Sequence, residues 1–418
     1  VTLSGFTRQA FDHLAPMFHS TGMVGVAGGT LSRRSQPSSN SPLEPGDPIG
    51  VGLIQGDLSM AGTGTVTYVD GNRVYAFGHQ FYNAGPSKFP MTRAYVHTVL
   101  PSQALSSRIT SIGETLGTID QDRSTGISGV FGSGPPLVPV HVELKTPDRN
   151  RINSFDFAVV ADDLFTPFLS YNAVLNTLLS YSRQLGSATY SLEGHARLHG
   201  FPPVTFQETF TGASASVLAS LYVSAPLTAL LNNEFEPLTI ERVDVSITAH
   251  TETRTATLDR VWLDDPRPRL GRPLPLRIAI RTRREDEILR TVMIDLPAST
   301  SGRLQLLVSD GASLAQRERQ ETGQAARATN VLQLIDALND ARRNNRLYIQ
   351  LLRDDAGAVV NGQRLPSLPA SVLGVLSADQ RPGAFAPLRT AVLREWSIPF
   401  DHVISGSRRL SIDLDAFE

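Results

Sequence analysis

The sequence predicts a mainly β chain of several domains: a Gly-rich barrel or sandwich, then an immunoglobulin-like sandwich, then a small α+β unit. Three observations predict it. The 418 residues exceed what one ordinary core accommodates, which points to two to four domains. From Gly50 onward, short segments alternate apolar and polar residues between glycines, the period of half-buried strands. Strand patterns follow one another with few helical patterns between them, which argues against a βαβ arrangement.

The elements follow in order. Residues 6–20 place Phe6, Ala10, Leu14 and Met17 at helical spacing despite Pro16. A Ser/Pro/Arg-rich stretch from Leu31 to Pro48 reads as a linker or surface loop, so residues 1–45 form a helix plus linker. The first β domain is expected over 46–210. Val69-Asp70-Gly71-Asn72 marks a hairpin turn between TVTYV and RVYAF, because Asp-Gly tolerates the positive φ such turns need. Strands continue at 137–145 and 154–160. Thr166 is expected to cap a helix whose first turn holds Pro167 and whose apolar stripe is Phe168, Tyr171, Leu175, Leu178 and Leu179. Strands return at 187–198 and 203–210. Alternating segments from Phe235 to Asp310 give the expected sandwich, over 211–310, with the proline-rich stretch 264–275 as a crossing at its edge. Residues 311–418 mix a helix capped by Thr329 or Asn330 with further strands, the α+β unit.

Composition excludes several chemistries. The formal net charge is −2, which gives nucleic acid no electrostatic reason to bind. All but two of the 38 basic residues are arginines, the exceptions being Lys88 and Lys145. The chain has no cysteine, so disulfides, thiolate nucleophiles and iron–sulfur sites are ruled out. No apolar run has the length of a membrane span, and no nucleotide-binding glycine pattern is present. The chain opens at Val1 without a signal-peptide pattern and is expected to be the processed part of something longer.

The informative stretch runs from Gly46 to Gly132: GDPIGVGLIQGDLSMAGTGTVTYVDGNRVYAFGHQF, then PMTRAYVHTVLPS, then IGETLGTIDQDRSTGISGVFG. It resembles the SpoIVB-type serine peptidase family of long bacterial envelope or secreted proteins. The resemblance implies a chymotrypsin-like β-barrel and places the family's general base at His79, after the strand–turn–strand TVTYVDGNRVYAF. A serine hydroxyl needs an imidazole to take its proton and an acid to orient that imidazole. The family's nucleophile motif, Gly-Met-Ser-Gly-Ser-Pro, does not occur in the chain. The nearest local substitute is Gly126-Ile127-Ser128-Gly129, which makes Ser128 a candidate nucleophile, although it lies in the family's later Gly-rich strand pair. Asp120 and Asp122 are candidate orienting acids, or turn acids pairing with Arg123.

Other polar residues read as structural. His97 lies one strand further on. His195 and His199 are four apart but fall on one polar strand face with Glu193 and Arg197. Asp47, Asp57 and Asp70 sit in Gly-rich turns without a calcium-loop pattern. Trp262 and Trp396 fit strand anchors. No cofactor or metal is expected.

The resemblance therefore implies a peptide or protein substrate, its own upstream segment included, and localisation outside the cytoplasm: secreted, periplasmic or at the cell surface. Two further readings stand beside it. One is a catalytically inactive envelope scaffold that self-assembles. The other is a carbohydrate- or surface-binding module.

Overall fold

The computed structural model describes residues 1–19, 25–27, 42–101, 103, 107–147, 150–181, 188–264, 273–296, 303–323, 327–361, 363–378 and 385–413. The chain is mainly β. Most of the linker expected at 31–48 and of the proline-rich crossing near 271 lies outside the described residues.

The first segment comprises β1 (Thr2–Ser4), α1 (Arg8–His19), β2 (Val26–Ala27), β3 (Pro48–Gly56), β4 (Ser59–Asp70), β5 (Arg73–Ala76), β6 (Gly85–Leu100), β7 (Ser107–Arg123) and β8 (Gly126–Phe131). Six of these strands close on themselves through antiparallel pairings in the order β3–β6–β7–β8–β5–β4 and back to β3. The alternation read from the sequence sets the inward side: Val51, Val66, Val74, Phe89, Met91, Ile119 and Ile127 are buried within it. The hairpin at 70–73 forms as expected, with Asp70 opposite Arg73 and Gly71 at φ +54°. α1 buries Ala10 and Leu14, and Thr7 caps it by accepting the Ala10 N–H at 3.2 Å.

β3 has a double allegiance. One edge pairs with β4 along Pro48–Ile54. The other pairs with β6 at Ile49–Val51 and then with a strand outside the ring at Ile54–Gly56. That outside strand is β10 (Arg151–Val160), which follows β9 (Leu137–Thr146). After them come α2 (Phe165–Tyr181), β11 (Ala188–Leu198), β12 (Phe201–Gly212), α3 (Ala215–Leu231) and β13 (Ile240–His250). The strand order β12-β11-β13-β9-β10 continues through β3 into the ring, one 13-stranded sheet in all. The boundary expected at 210/211 cuts through this sheet, because β13 is hydrogen-bonded between β11 and β9, parallel to the latter.

Helices α2 and α3 pack on this sheet and on each other. The N-terminal amides of α2 are capped by Asp162, whose Oδ1 accepts from Leu164 and Phe165 at 2.9 Å. Thr166, expected as the cap, instead donates its hydroxyl to the Val160 carbonyl at 2.7 Å. The expected stripe is largely buried at Tyr171, Leu175 and Leu178. α3 was not expected. It carries no charge and holds Pro226 inside, yet buries Ala219, Val223, Leu227 and Leu230.

The remaining chain comprises β14 (Thr255–Leu263), β15 (Pro273–Thr282), β16 (Glu287–Asp295), β17 (Arg303–Asp310), α4 (Gly311–Thr322), α5 (Val331–Asn339), β18 (Arg346–Val360), β19 (Gln363–Leu365), α6 (Ala370–Ser377), β20 (Phe385–Pro399), β21 (Val403–Ser405) and β22 (Ser407–Asp413). One sheet runs β16-β15-β14-β21. The other contains β19, β18, β17 and β22, with β20 also on β18. The two share a core that includes Leu258, Leu276, Ile278, Leu306, Val308 and Ile349. Strands on both sides of the boundary expected at 310/311 therefore build one two-sheet sandwich. Asn330 caps α5, accepting the Gln333 N–H at 2.9 Å. α5 packs on β12 rather than on the sandwich, and its last residue, Asn339, accepts the Thr205 N–H at 2.7 Å.

Candidate functional site

β5 ends at Ala76, and two consecutive residues in left-handed backbone follow: Phe77 at φ +75° and Gly78 at φ +72°. For a phenylalanine that conformation costs on the order of 1–2 kcal/mol. It is held by the Phe77 N–H bond to the Thr65 carbonyl at 3.0 Å and by the ring, which lies on Gly64 where any side chain would collide. The Phe77 ring also meets Phe81 edge-on, with centroids 6.0 Å apart.

This turn delivers His79 to the surface. Its Nδ1 lies 2.7 Å from the Gln80 carbonyl oxygen. A carbonyl only accepts, so Nδ1 carries the proton, and the neutral ring keeps Nε2 as an acceptor. Among the described residues His79 makes no other hydrogen bond and no ion pair; its ring stacks obliquely on Phe77 at 5.7 Å.

Asp122 fixes the chain that leaves His79. It is fully buried, and its carboxylate accepts three backbone N–H groups: Phe81 at 2.8 Å, Tyr82 at 2.7 Å and Ala84 at 3.1 Å. Its oxygens are aimed at the loop backbone and do not reach the imidazole.

Asp120 and Ser128 lie together elsewhere. Ser128 Oγ donates to Asp120 Oδ1 at 3.0 Å, and Arg73 bridges both, 3.0 Å from Asp120 and 3.3 Å from Ser128. The sequence pattern offered Arg123 as the acids' partner. The structure gives Asp120 to Arg73, and Arg123 donates instead to Gln121 at 3.0 Å. No hydrogen bond joins His79 to Ser128, Asp120 or Asp122 among the described residues. Ser128 thus sits against an acid already paired with a guanidinium, and among the described residues no imidazole bonds to its hydroxyl.

A β-bulge explains why the two acids part. β7 pairs Ile119 with Gly129 and Gln121 with Ser128, leaving Asp120 as the extra residue. The extra residue reverses the alternation, so Ile119 and Asp122, three apart, both point inward.

Protein-family models, curated proteins and solved structures were compared with this chain, and none matches.

An open groove of about 300 Å³ lies between the β5 end and the β7–β8 turn, and it is bordered by Gly78, not by the His79 side chain. Its wall includes Tyr75, Gly78, Gln121, Arg123, Gly126 and Ser128. Gly126, at φ +148°, is needed here: a Cβ would stand 2.9 Å from the Ala76 carbonyl oxygen and 3.5 Å from Gly78 N. The bare backbone lets the β7–β8 turn press against the turn that carries His79.

The other candidates are engaged locally. His97 bonds Ser111 at 2.9 Å, and His199 bonds Glu241 at 2.8 Å. His195 shares the exposed face of β11 with Glu193 at 3.8 Å. Asp47 accepts the Glu44 N–H, a local turn role, whereas Asp57 accepts the N–H of Asp156 on β10, 99 residues away. Trp262 and Trp396 lie in the two sandwich sheets, each with an arginine over its ring at 5.6 and 5.8 Å. Among the described residues no three His, Asp or Glu side chains converge to hold a metal, and no helix is long and apolar enough to cross a membrane.

Proposed function

We propose that this chain carries the histidine half of a serine peptidase site of the SpoIVB type, with the nucleophilic serine supplied by a polypeptide segment outside these 418 residues. The observation that carries the reading is His79. Its Nδ1 is committed to a backbone carbonyl, its Nε2 is left as an acceptor, and it directly follows Gly78, which lines an open groove. In this reading Nε2 takes the serine proton as Oγ attacks a peptide carbonyl. The Gln80 carbonyl stabilises the imidazolium, and the ring returns the proton to the leaving amine as the acyl-enzyme forms. Asp122 is a positioning residue that acts through the 81–84 backbone. The six-stranded ring serves as one barrel of the chymotrypsin-like kind, and the C-terminal sandwich as an immunoglobulin-like accessory of a secreted or envelope protein.

A second reading has its own support. Ser128, Asp120 and Asp122 are all engaged in structural bonds, and among the described residues no acid bonds to His79, as expected of an inactive scaffold built on a peptidase fold. A fluorophosphonate probe separates the two. It would be applied to the 418-residue chain, to a form extended upstream of Val1, and to the His79→Ala form of each, with adducts mapped by mass spectrometry. His79-dependent labelling of a serine in the extended form alone is the expected result. Labelling of Ser128 in the 418-residue chain would place a complete site here. No His79-dependent adduct in any form leaves the scaffold reading.

A further inference from the structure

The groove between the β5 end and the β7–β8 turn has a charge character that its own fold does not consume. Of the side chains on its wall, one is charged, Arg123, and it faces solvent at the tip of β7. Its Nε is bound to the neutral Gln121 amide oxygen at 3.0 Å, and among the described residues it has no carboxylate partner. The acids that flank it in sequence are both committed, Asp122 to three buried amides and Asp120 to Arg73 and Ser128. No acidic side chain lines the groove. The rest of the wall pairs hydroxyls, at Thr67 and Thr125, with apolar surface at Tyr75 and Ile127.

We infer that this groove reads an acidic side chain of an extended peptide, with Arg123 as its counter-charge. The inference rests on the peptidase reading for the identity of the ligand as a peptide, and it names the substrate class of that site. A guanidinium holding one neutral partner still presents donors in the fork geometry that suits a carboxylate. The apolar wall accommodates the methylenes of a glutamate. The groove borders Gly78, the residue before His79 in the chain.

The test measures binding and needs no nucleophile. Fluorescein-labelled, N-blocked and C-amidated alanine hexapeptides would carry a single Glu, Gln or Lys at each position in turn, with affinity for the 418-residue chain read by fluorescence polarisation. The best Glu peptide should bind about tenfold tighter than its Gln counterpart, the size expected for one charge-assisted contact at a partly exposed site. That margin should vanish in Arg123→Gln, survive in reduced form in Arg123→Lys, and shrink as salt is raised. Equal affinity for Glu and Gln peptides, including no binding of either, overturns the inference, as does a preference that persists in Arg123→Gln. The Glu-over-Gln binding margin and the His79-dependent labelling described above are separate readouts, so failure of the peptidase reading and failure of this one give different results.

Discussion

In the ring, the buried carboxylate of Asp122 gives both oxygens to three backbone amides of residues 81–84. In the sandwich, the Arg342 guanidinium joins Glu318 of α4 to Glu395 of β20, side chain to side chain. Both are polar hubs within a mainly apolar surround, but they constrain different things. A backbone amide points where its φ and ψ direct it, so a carboxylate that satisfies three of them holds an irregular loop in one conformation. A guanidinium between two carboxylates ties regular elements whose shape is already fixed by hydrogen bonding and packing. The ring therefore uses its buried charge to present a loop, and the sandwich region uses its partly buried charge to hold α4 against β20. The residues that follow His79 belong to the first kind of construction.

Four measurements would break or sharpen that contrast. Replacing Asp122 by Ala strands three N–H groups, two of them on the largely buried Phe81 and Tyr82, and should cost about 4 kcal/mol of unfolding free energy in urea. Hydrogen exchange at 81–84 should rise before that of the sandwich. A loss below about 1 kcal/mol would show that the loop holds itself.

The joint between the helix-covered sheet and the sandwich carries a buried carboxyl. Glu208 on β12 accepts N–H groups from Thr209 and from Asn344, which precedes β18, and burial pushes its carboxyl up to about 7 from 4.5. The folded chain then holds this proton more tightly than the unfolded chain. Stability is unaffected below pH 4.5, falls as pH rises from 4.5 to 7, and stays lower above it, by about 3 kcal/mol in all. Glu208→Gln should flatten that decline. A difference between the two proteins that stays constant from pH 5 to 8 would remove Glu208 from the account.

Arg342→Met should cost about 2 kcal/mol, because two half-buried acids lose their shared cation. The loss should appear in the sandwich transition, leaving exchange at 81–84 unchanged. Ser128→Ala should cost under about 1 kcal/mol in thermal unfolding, since Arg73 and Asp120 keep each other. A larger loss would mean that Ser128 organises that pair.

What the sequence made legible was local. The Asp70–Arg73 hairpin could be read because a two-residue loop and its flanking alternation lie within one short window. The position of His79 after an apolar strand was legible for the same reason. The separation of Asp120 from Asp122 was not, because one bulge residue reverses the face of everything beyond it and no residue type marks its place. Arg73 was missed as the partner of Asp120 because the two are 47 residues apart and meet only through the pairing of β5 with β8 and β8 with β7. β13 was assigned to the wrong side of a boundary, since its alternation suits any sheet and its seat beside β9 is a long-range choice. α3 escaped because it has neither a polar face nor caps, and Pro226 argued against a helix. Thr166 looked like a cap by spacing, but Asp162 already held the amides.

β3 has a mechanical consequence. Its Pro48–Ile54 edge closes the ring, while its last residues are stitched to β10 and so to the helix-covered sheet. Neither body can let go of β3 without loosening the other. On heating, the ring and that sheet should melt as a single cooperative block, and a calorimeter should record one transition where the strand order suggests two.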